Sequence, residues 1–546
     1  MMGTVLAQLP VRTPSVDWAG LLPVLLPAAG ALVLLMVRSL VPSRPGGRAG
    51  RRAKQVHTGE AVARAARERS EQEREEPRPD ASGSHLPAQV LVPAVLDAVW
   101  TFAVAVAGLV SVAVLWQRDA DVEAFGGQLV MDRIALFVAA VVLGSVALAA
   151  PTLPRYCRRV GVASAELCVL ALLAAAGAVV MAGAADLIVL FLGLETMSIA
   201  AYVMAALNLR RLESLEAGLK YFVLGAFSTA FLLFGIALVY GATGTTNLDG
   251  IAGYLDTYIV LRDGMLLAGL AMLLVGLGFK VAAAPFHAWA PDTYVGAPTP
   301  VTALMASAVK AAGFAALIRV FVEALGTRAD DWRPAVFALA CATLAVGSVL
   351  AAVQSDAKRI LAYSSISHAG FILVGVQAAS DEGVAAVLFY LAAYAPVAVG
   401  SFTVVAVLSG RRDDRTGLDT LVGLGTRRPA LALGLTILLL AQAGVPFTSG
   451  FVAKFSVIAA AVEARSYWLA VVAMVSAVVA AFAYLRMVVA MYFRDPGDEA
   501  DTAEQASKPA IGIGAGAVIV VAVLLTVAMG VVPGVLESLS STAAGL

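Results

Sequence analysis

The 546-residue sequence is poor in charged residues and in the side chains that usually build metal and nucleophilic sites. Charged residues make up 14% of it, against roughly 25% in soluble globular proteins, which excludes an ordinary soluble domain. The formal net charge is zero, which argues against nucleic acid as a partner. The four histidines and three cysteines show no metal-ligand spacing, and no Gly-rich phosphate loop is present. The sequence therefore predicts no metal site and no bound cofactor.

Apolar residues dominate what is present, at 60% of the chain. Runs of eighteen or more recur along nearly its whole length, which is typical of transmembrane helices. We therefore predict an all-α polytopic membrane protein with fourteen transmembrane helices in the lipid bilayer. The predicted spans are 17–41, 89–116, 129–151, 162–182, 184–208, 217–240, 264–286, 299–325, 334–353, 359–379, 384–408, 429–463, 466–493 and 509–536.

The basic residues between the spans support this count. Loops after odd-numbered spans hold 24 Lys and Arg, whereas the opposite side holds six. Because Lys and Arg accumulate on the cytoplasmic side of membrane proteins, both termini are predicted to lie on the outer side. Ten of the 24 belong to the segment 42–88, which has too few apolar residues to bury and is predicted to be a cytoplasmic loop. This loop is either solvated or in contact with lipid or a partner.

Four ionisable residues lie deep inside predicted spans, where a charge costs about 2.5–3.5 kcal/mol. They are Glu195, Lys280, Lys310 and Lys454. One carboxylate among several lysines suggests an ion pair. A buried lysine gives up its proton more readily because desolvation disfavours the ammonium ion, and a nearby carboxylate opposes this effect. A lysine whose carboxylate partner can approach and retreat is therefore a proton gate.

Two prolines predict broken helices. Pro285 disturbs the end of the seventh span, and Pro446 with Gly450 interrupts a twelfth segment that is too long for one simple crossing. Backbone groups freed at such breaks persist at membrane depth only when they are buried in protein or line a wet cavity. Lys280 and Lys454 each lie beside a break. Broken helices in corresponding positions of two halves indicate an ion site in a transporter built from repeats.

Three further residues each have two interpretations. Lys220 lies near a helix end, where it either joins the proton path or extends to the aqueous surface. His368 is either a proton relay or a neutral histidine bonded within the bundle. His287, a second candidate relay, follows Lys280 by seven residues and shares its face only if the helix persists through Pro285.

The segments that carry these residues resemble a known family. They read LGLETMSIAAYV, GFKVAAAPFHAWAPDTYVGAPTPVTALMASAVKAAG, AYSSISHAGF and AGVPFTSGFVAKF. They are similar to the antiporter-like subunits of proton-translocating NADH:quinone oxidoreductase, respiratory complex I, and span most of 160–490. The resemblance implies that the residues matching the family's charged positions translocate protons: Glu195, Lys220, Lys280, Lys310 and Lys454.

The resemblance also implies a division of the chain. Two inverted five-helix repeats are expected, made of spans 4–8 and 9–13, with helices 7 and 12 broken. The expected regions are 1–41 (first span), 42–88 (loop), 89–161 (spans 2 and 3), 162–325 (first repeat), 326–493 (second repeat) and 494–546 (loop and span 14).

Within this family the N-type subunit fits best. Lys454 stands where the M-type usually has glutamate, and the chain stops soon after span 14, whereas the L-type carries a long lateral helix. This assignment implies partners in a membrane arm, namely an M-type subunit and small connecting subunits, in the membrane of a bacterial cell. It also implies that NADH, FMN, iron–sulfur clusters and quinone bind in partner subunits, with none of them in this chain.

Two other functions are open at this point. A subunit of a multisubunit cation/proton antiporter or of a membrane-bound hydrogenase would share the fold and the motifs. An inert membrane scaffold belongs to a different class, and four deep ionisable residues argue against it.

Overall fold

A computed structural model of the chain describes residues 16–40, 88–119, 121–259, 263–410, 413–494 and 511–546, with side chains from residue 93 onward in the second range. The described chain is mostly helical, with one antiparallel hairpin of β1 (Val122–Ala124) and β2 (Leu129–Met131). The charged segment 42–88 lies outside the described residues except at its final position. Its predicted role as a loop therefore stays a prediction.

Thirteen helices in the described chain are long and apolar enough to cross a membrane. Their bounds follow the predicted spans because uninterrupted apolar sequence has to form its backbone hydrogen bonds internally. The helices before the first break are α1 (Leu22–Leu40), α2 (Ala88–Arg118), α3 (Arg133–Ala149), its short extension α4 (Leu153–Val160), α5 (Ser164–Ala182), α6 (Leu187–Ala205), α7 (Leu212–Thr243), the short α8 (Leu248–Thr257) and α9 (Asp263–Lys280).

The eighth span is not a regular α-helix. It begins after the short α10 (Trp289–Gly296) and consists of α11 (Thr299–Leu304), a π-helical turn (Met305–Val309), α12 (Lys310–Leu317) and a second π-helical turn (Ile318–Ala324). Such π-helical turns inside α-helices occur frequently at functional sites. The sequence showed no signal for them.

The remaining helices complete the bundle. They are α13 (Ala329–Val353), α14 (Ala357–Ala378), α15 (Asp381–Leu408), the single turn α16 (Leu424–Arg427), α17 (Pro429–Ala443), α18 (Ser449–Glu463), α19 (Tyr467–Phe493), α20 (Ile513–Val531) and α21 (Gly534–Ala544). The predicted twelfth span is thus two shorter helices, α17 and α18. The total of fourteen crossings and the repeat boundaries stay predictions.

Two helices begin in the same way. Asp186 precedes α6 and accepts a hydrogen bond from Thr246, sixty residues later, at 2.7 Å. Asp356 precedes α14 and accepts one from Thr416, again sixty residues later. A carboxylate before the first turn accepts hydrogen bonds from the free N–H groups of that turn, and its negative charge is stabilised by the helix dipole. This matched spacing aligns α6–α7 with α14–α15.

The two most fully enclosed helices carry candidate residues. The span 299–324 is surrounded by protein along its whole apolar length, and 357–378 is almost as fully enclosed. By contrast, only a third of the apolar stretch in 212–243 is buried. Lys310 and His368 therefore lie in the interior of the molecule, away from surrounding lipid.

Candidate functional site

The first helix break starts earlier than predicted. Helix α9 ends at Lys280 itself, Ala282 adopts a φ of 60°, and Pro285 lies inside the turn that leads to α10. Two side chains satisfy the freed backbone: Trp289 Nε1 donates to the carbonyl of Phe279 at 3.0 Å, and Thr343 Oγ1 accepts from the backbone N–H of Ala284 at 2.9 Å. Lys280 is therefore the last residue of α9 and lies directly beside the break.

The second break also starts before its proline. Helix α17 ends at Ala443, and Gly444 follows with a φ of 88°, a conformation that glycine adopts without strain. Pro446 lies in the turn before α18. Gly450, predicted to break the helix, is instead the second residue of α18, and a Cβ there would lie 1.9 Å from the Ala441 carbonyl oxygen. Its function is to let the two half-helices approach each other.

Lys280 is buried, with 4% of its surface exposed. Its Nζ donates to Ser198 Oγ at 2.6 Å, and the rings of Tyr202 and Tyr221 lie 5.7 and 5.6 Å from it. The Ser198 hydroxyl in turn donates to the carbonyl of Leu194. The ammonium group is therefore held by a neutral hydroxyl and two aromatic faces.

Glu195 does not form the predicted ion pair with any lysine among the described residues. Its Oε1 accepts from Thr229 Oγ1 of α7 at 2.7 Å, and its side chain is partly exposed. Glu195 precedes Ser198 by three residues on α6, so the two side chains share a face of that helix. The carboxylate thus lies on the side of α6 that faces Lys280, with threonine as its present partner.

Lys310 follows the π-helical turn and is 3% exposed. Its Nζ donates to the Ser365 hydroxyl at 2.5 Å and also to the Ser365 carbonyl. The ring of Tyr394 lies 5.6 Å from the same nitrogen. Three residues further along, Gly313 lies against the Lys280 side chain, since a Cβ there would be 3.6 Å from Lys280 Cγ. The helices that carry the two lysines are therefore in direct contact.

A polar network extends from the residue next to Ser365. Ser364 Oγ donates to Gln442 Oε1 at 2.8 Å and lies 2.6 Å from Tyr484 Oη. Tyr484 Oη also lies 3.5 Å from His368 Nε2, while His368 Nδ1 lies 2.7 Å from Tyr390 Oη. His368 is thus bonded within the bundle at both ring nitrogens, and it is also part of this network.

Lys454 occupies the end of the network. Its Nζ donates to the carbonyls of Gln442 at 2.7 Å and of Ala443 at 3.0 Å, and the ring of Phe371 lies 4.9 Å away. These carbonyls belong to the last turn of α17 and lack helical partners because the helix stops there. A cation at a helix C-terminus is favoured by the helix dipole. The second break thus creates the site that holds Lys454.

Two predicted residues lie apart from this buried line. Lys220 is 42% exposed and forms ion pairs with Glu216 at 2.7 Å and Asp292 at 2.9 Å, which favours its interpretation as a surface residue. His287 lies in the turn after α9, and its Nδ1 is buried without a hydrogen-bond partner among the described residues. The structure brings neither of them into hydrogen-bonding contact with Lys280, Lys310 or Lys454 in the part of the chain that it describes.

Sequence reasoning missed the residues that contact the lysines, Ser198, Ser365 and Gln442, and two that extend the polar network, Ser364 and Tyr484. Serine, glutamine and tyrosine inside apolar runs are too common to stand out one by one. Gln442 and the pair Ser364–Ser365 were visible as polar residues in predicted spans. Their connection depends on three helices meeting, which the order of residues does not show.

Comparisons with known proteins identify sequences and structures similar to this chain. The family described as "NADH:quinone oxidoreductase/Mrp antiporter, TM" matches residues 184–480. NADH-quinone oxidoreductase subunit N of Trichlorobacter lovleyi is 39% identical over 77% of this chain and 84% of its own length. Subunit N 1 of Solibacter usitatus is 42% identical, over 78% and 86% respectively. A chain in the structure of Thermus thermophilus respiratory complex I with bound aureothin is 29% identical, with a TM-score of 0.72, over 95% of this chain and 99% of that one.

Proposed function

The chain belongs to the NADH:quinone oxidoreductase/Mrp antiporter family of membrane proteins, and on that premise we propose that it moves protons along its line of buried lysines as an N-type subunit of a bacterial NADH:quinone oxidoreductase. NADH oxidation and quinone reduction take place in partner subunits, which hold the FMN, the iron–sulfur clusters and the quinone. This chain contributes proton transfer, driven by that chemistry, and no redox step of its own.

The observation that carries the proposal is the bonding of the three buried lysines. In the described chain, Lys280, Lys310 and Lys454 have only neutral acceptors: two serine hydroxyls and backbone carbonyls. A hydroxyl accepts a hydrogen bond from an ammonium ion and can donate one to a neutral amine, so it suits a lysine in either protonation state. A carboxylate within ion-pair distance would favour the charged state alone.

A direction for the transfer follows from where these groups lie. Glu195 can turn from Thr229 toward Lys280, and its approach would favour the protonated lysine. Its retreat would release the proton toward Lys310. From there the path runs through Ser364, Gln442 and His368 to Lys454, which exchanges with the outer aqueous side. Lys220 and His287 serve in this scheme as candidate entry groups, because they lie outside the buried line.

The proposal includes partners and an orientation in the membrane. We place the chain in a bacterial plasma membrane with both termini on the outer side, next to an M-type subunit and small connecting subunits in the membrane arm. The excess of Lys and Arg in loops after odd-numbered spans supports this orientation. The similarity to a chain of a respiratory complex over nearly its whole length supports membrane-arm partners.

Co-purification tests the proposal against an antiporter, the alternative function that the family's description also names. The tagged chain is purified from native membranes in mild detergent. We expect flavin, iron–sulfur subunits and NADH oxidation to accompany it. A complex without flavin or iron–sulfur clusters that exchanges sodium for protons in vesicles would overturn the oxidoreductase assignment.

A further inference from the structure

A buried ion pair lies outside the line of lysines. Lys358 Nζ and Asp413 Oδ2 are 3.6 Å apart, and both side chains are completely buried. Both residues fall in predicted cytoplasmic loops. Asp413 does lie in the loop after α15, whereas Lys358 is the second residue of α14. Burying two opposite charges is unfavourable unless their remaining hydrogen-bonding capacity is satisfied. The partners that satisfy it therefore indicate what the pair does.

Those partners lie on both sides of one joint, between α10 and α11. Lys358 Nζ donates to the carbonyls of Val295 at 3.1 Å and Ala297 at 2.9 Å, where α10 ends. Asp413 accepts from the backbone N–H of Thr299 at 3.0 Å and from its hydroxyl at 2.7 Å, where α11 begins. The cation thus faces a helix C-terminus and the anion faces a helix N-terminus, the arrangement that the two dipoles favour.

The carboxylate is held from two further elements. Tyr156 Oη donates to Asp413 at 2.6 Å and Ser409 Oγ at 2.5 Å. Burial alone would raise the pKa of the Asp413 carboxyl, but Lys358 and the hydrogen bonds from Ser409, Tyr156 and Thr299 hold it below its ordinary value. Asp413 is therefore ionised in the folded protein at neutral pH.

The joint lies between two of the proton-carrying lysines. In the chain, residues 295–299 follow Lys280 and precede Lys310. Helix α14 contacts this region twice, through Lys358 at the joint and through Ser365 at the Lys310 amine. Lys358 and Ser365 are seven residues, or two helical turns, apart and therefore lie on the same face of α14.

We propose that Lys358 and Asp413 are positioning residues that fix the joint 295–299 on α14, and so keep Lys310 within reach of Ser365 and beside Lys280. The proposal rests on the function proposed above for the lysines. The alignment of α6–α7 with α14–α15 places Ile188 and Thr243 at the equivalent positions. Ile188 and Thr243 cannot form an ion pair, so the pair occurs at α14–α15 and not at α6–α7. At α14–α15 it contacts the segment 295–299 between Lys280 and Lys310.

Variants of the pair separate positioning from proton transfer. The intact complex is purified with Lys358→Met or Lys358→Arg, and with Asp413→Asn, which is milder because it keeps a carbonyl oxygen. Asp414→Asn is the matched control, since Asp414 is the exposed neighbour of Asp413. Two quantities are measured: hydrogen–deuterium exchange of the backbone amides in 295–300, which are those of 295–297 and Thr299 because Pro298 and Pro300 have no N–H, and NADH-driven turnover for each flavin present.

In Lys358→Met and Asp413→Asn we expect exchange at 295–300 to rise roughly tenfold, because the local opening that exposes these amides becomes easier. Turnover should fall several-fold in these two variants. In Lys358→Arg, which keeps the positive charge, both exchange and turnover should stay close to the wild-type values. Unchanged exchange would refute the claim that the pair fixes the joint 295–299, whatever the role of the buried lysines. Faster exchange with wild-type turnover would overturn the positioning role. If substitutions of Lys280 or Lys310 lower turnover but substitutions of Lys358 and Asp413 leave exchange unchanged, the proposed function stands and this inference is refuted.

Discussion

At the scale of the residue, the three buried lysines differ in what accepts their hydrogen bonds. Lys280 and Lys310 each face a serine hydroxyl, whereas Lys454 faces two backbone carbonyls at the end of α17. Carbonyls accept hydrogen bonds and cannot donate them, so they favour a group that always offers a proton. Among the three lysines, Lys454 therefore has the surroundings that most favour the protonated form.

Lys454→Arg tests whether this position has to release a proton. The guanidinium keeps the charge and can still donate to the Gln442 and Ala443 carbonyls, but it does not lose its proton because its pKa exceeds about 12. We expect normal assembly and a proton-to-electron ratio in reconstituted vesicles below that of the wild type. A wild-type ratio would remove Lys454 from the proton path.

At the scale of the element, the second broken helix creates the site of its lysine. Each break leaves backbone carbonyls without helical partners, and in α17 these carbonyls hold the Lys454 amine. Gly450 permits the close packing of α17 against α18, because its missing side chain leaves room for the Ala441 carbonyl. The geometry of the site therefore depends on a residue that has no polar side chain.

Gly450→Ala should disrupt this packing. The added methyl group would lie 1.9 Å from Ala441 O, and overpacking of this kind usually costs about 1–3 kcal/mol or more. We expect a lower melting temperature of the purified complex and loss of pumping. Gly253→Ala is the control, because nothing lies within 4 Å of its Cβ and alanine is favoured over glycine in a helix by up to about 1 kcal/mol. An equal effect of both substitutions would contradict this account of Gly450.

The elements themselves were largely predictable, because apolar runs and charged loops set the bounds of membrane helices. The positions of the breaks were not. Proline indicated each disturbed region, but the helices end at Lys280 and Ala443, before Pro285 and Pro446. A helix can stop earlier than its proline when other groups satisfy the freed backbone, as Trp289 does for Phe279.

At the scale of the whole molecule, the candidate lysines were identified by the cost of placing a charge in the membrane, but their connections were not. Lys310 contacts Ser365 of α14, and Lys454 contacts the end of α17, while Ser364 bonds to Gln442 of α17 and lies close to Tyr484 of α19. These helices are far apart in sequence. The same holds for Lys358, which looked like a loop residue and is completely buried. Depth in a helix can be read from sequence, whereas contact between helices depends on the folded bundle.

The most direct test of the central claim is the proton-to-electron ratio of vesicles that contain the complex with Lys280→Met. Methionine has a similar length and cannot carry a proton, so the line is interrupted while the buried site stays filled. With assembly confirmed by flavin content, we expect the ratio to fall below the wild-type value and turnover to drop, because one positioned proton-transfer group typically contributes about 10²–10⁴-fold to the rate of its step. A normally assembled Lys280→Met complex that pumps with the wild-type ratio and rate would contradict the account.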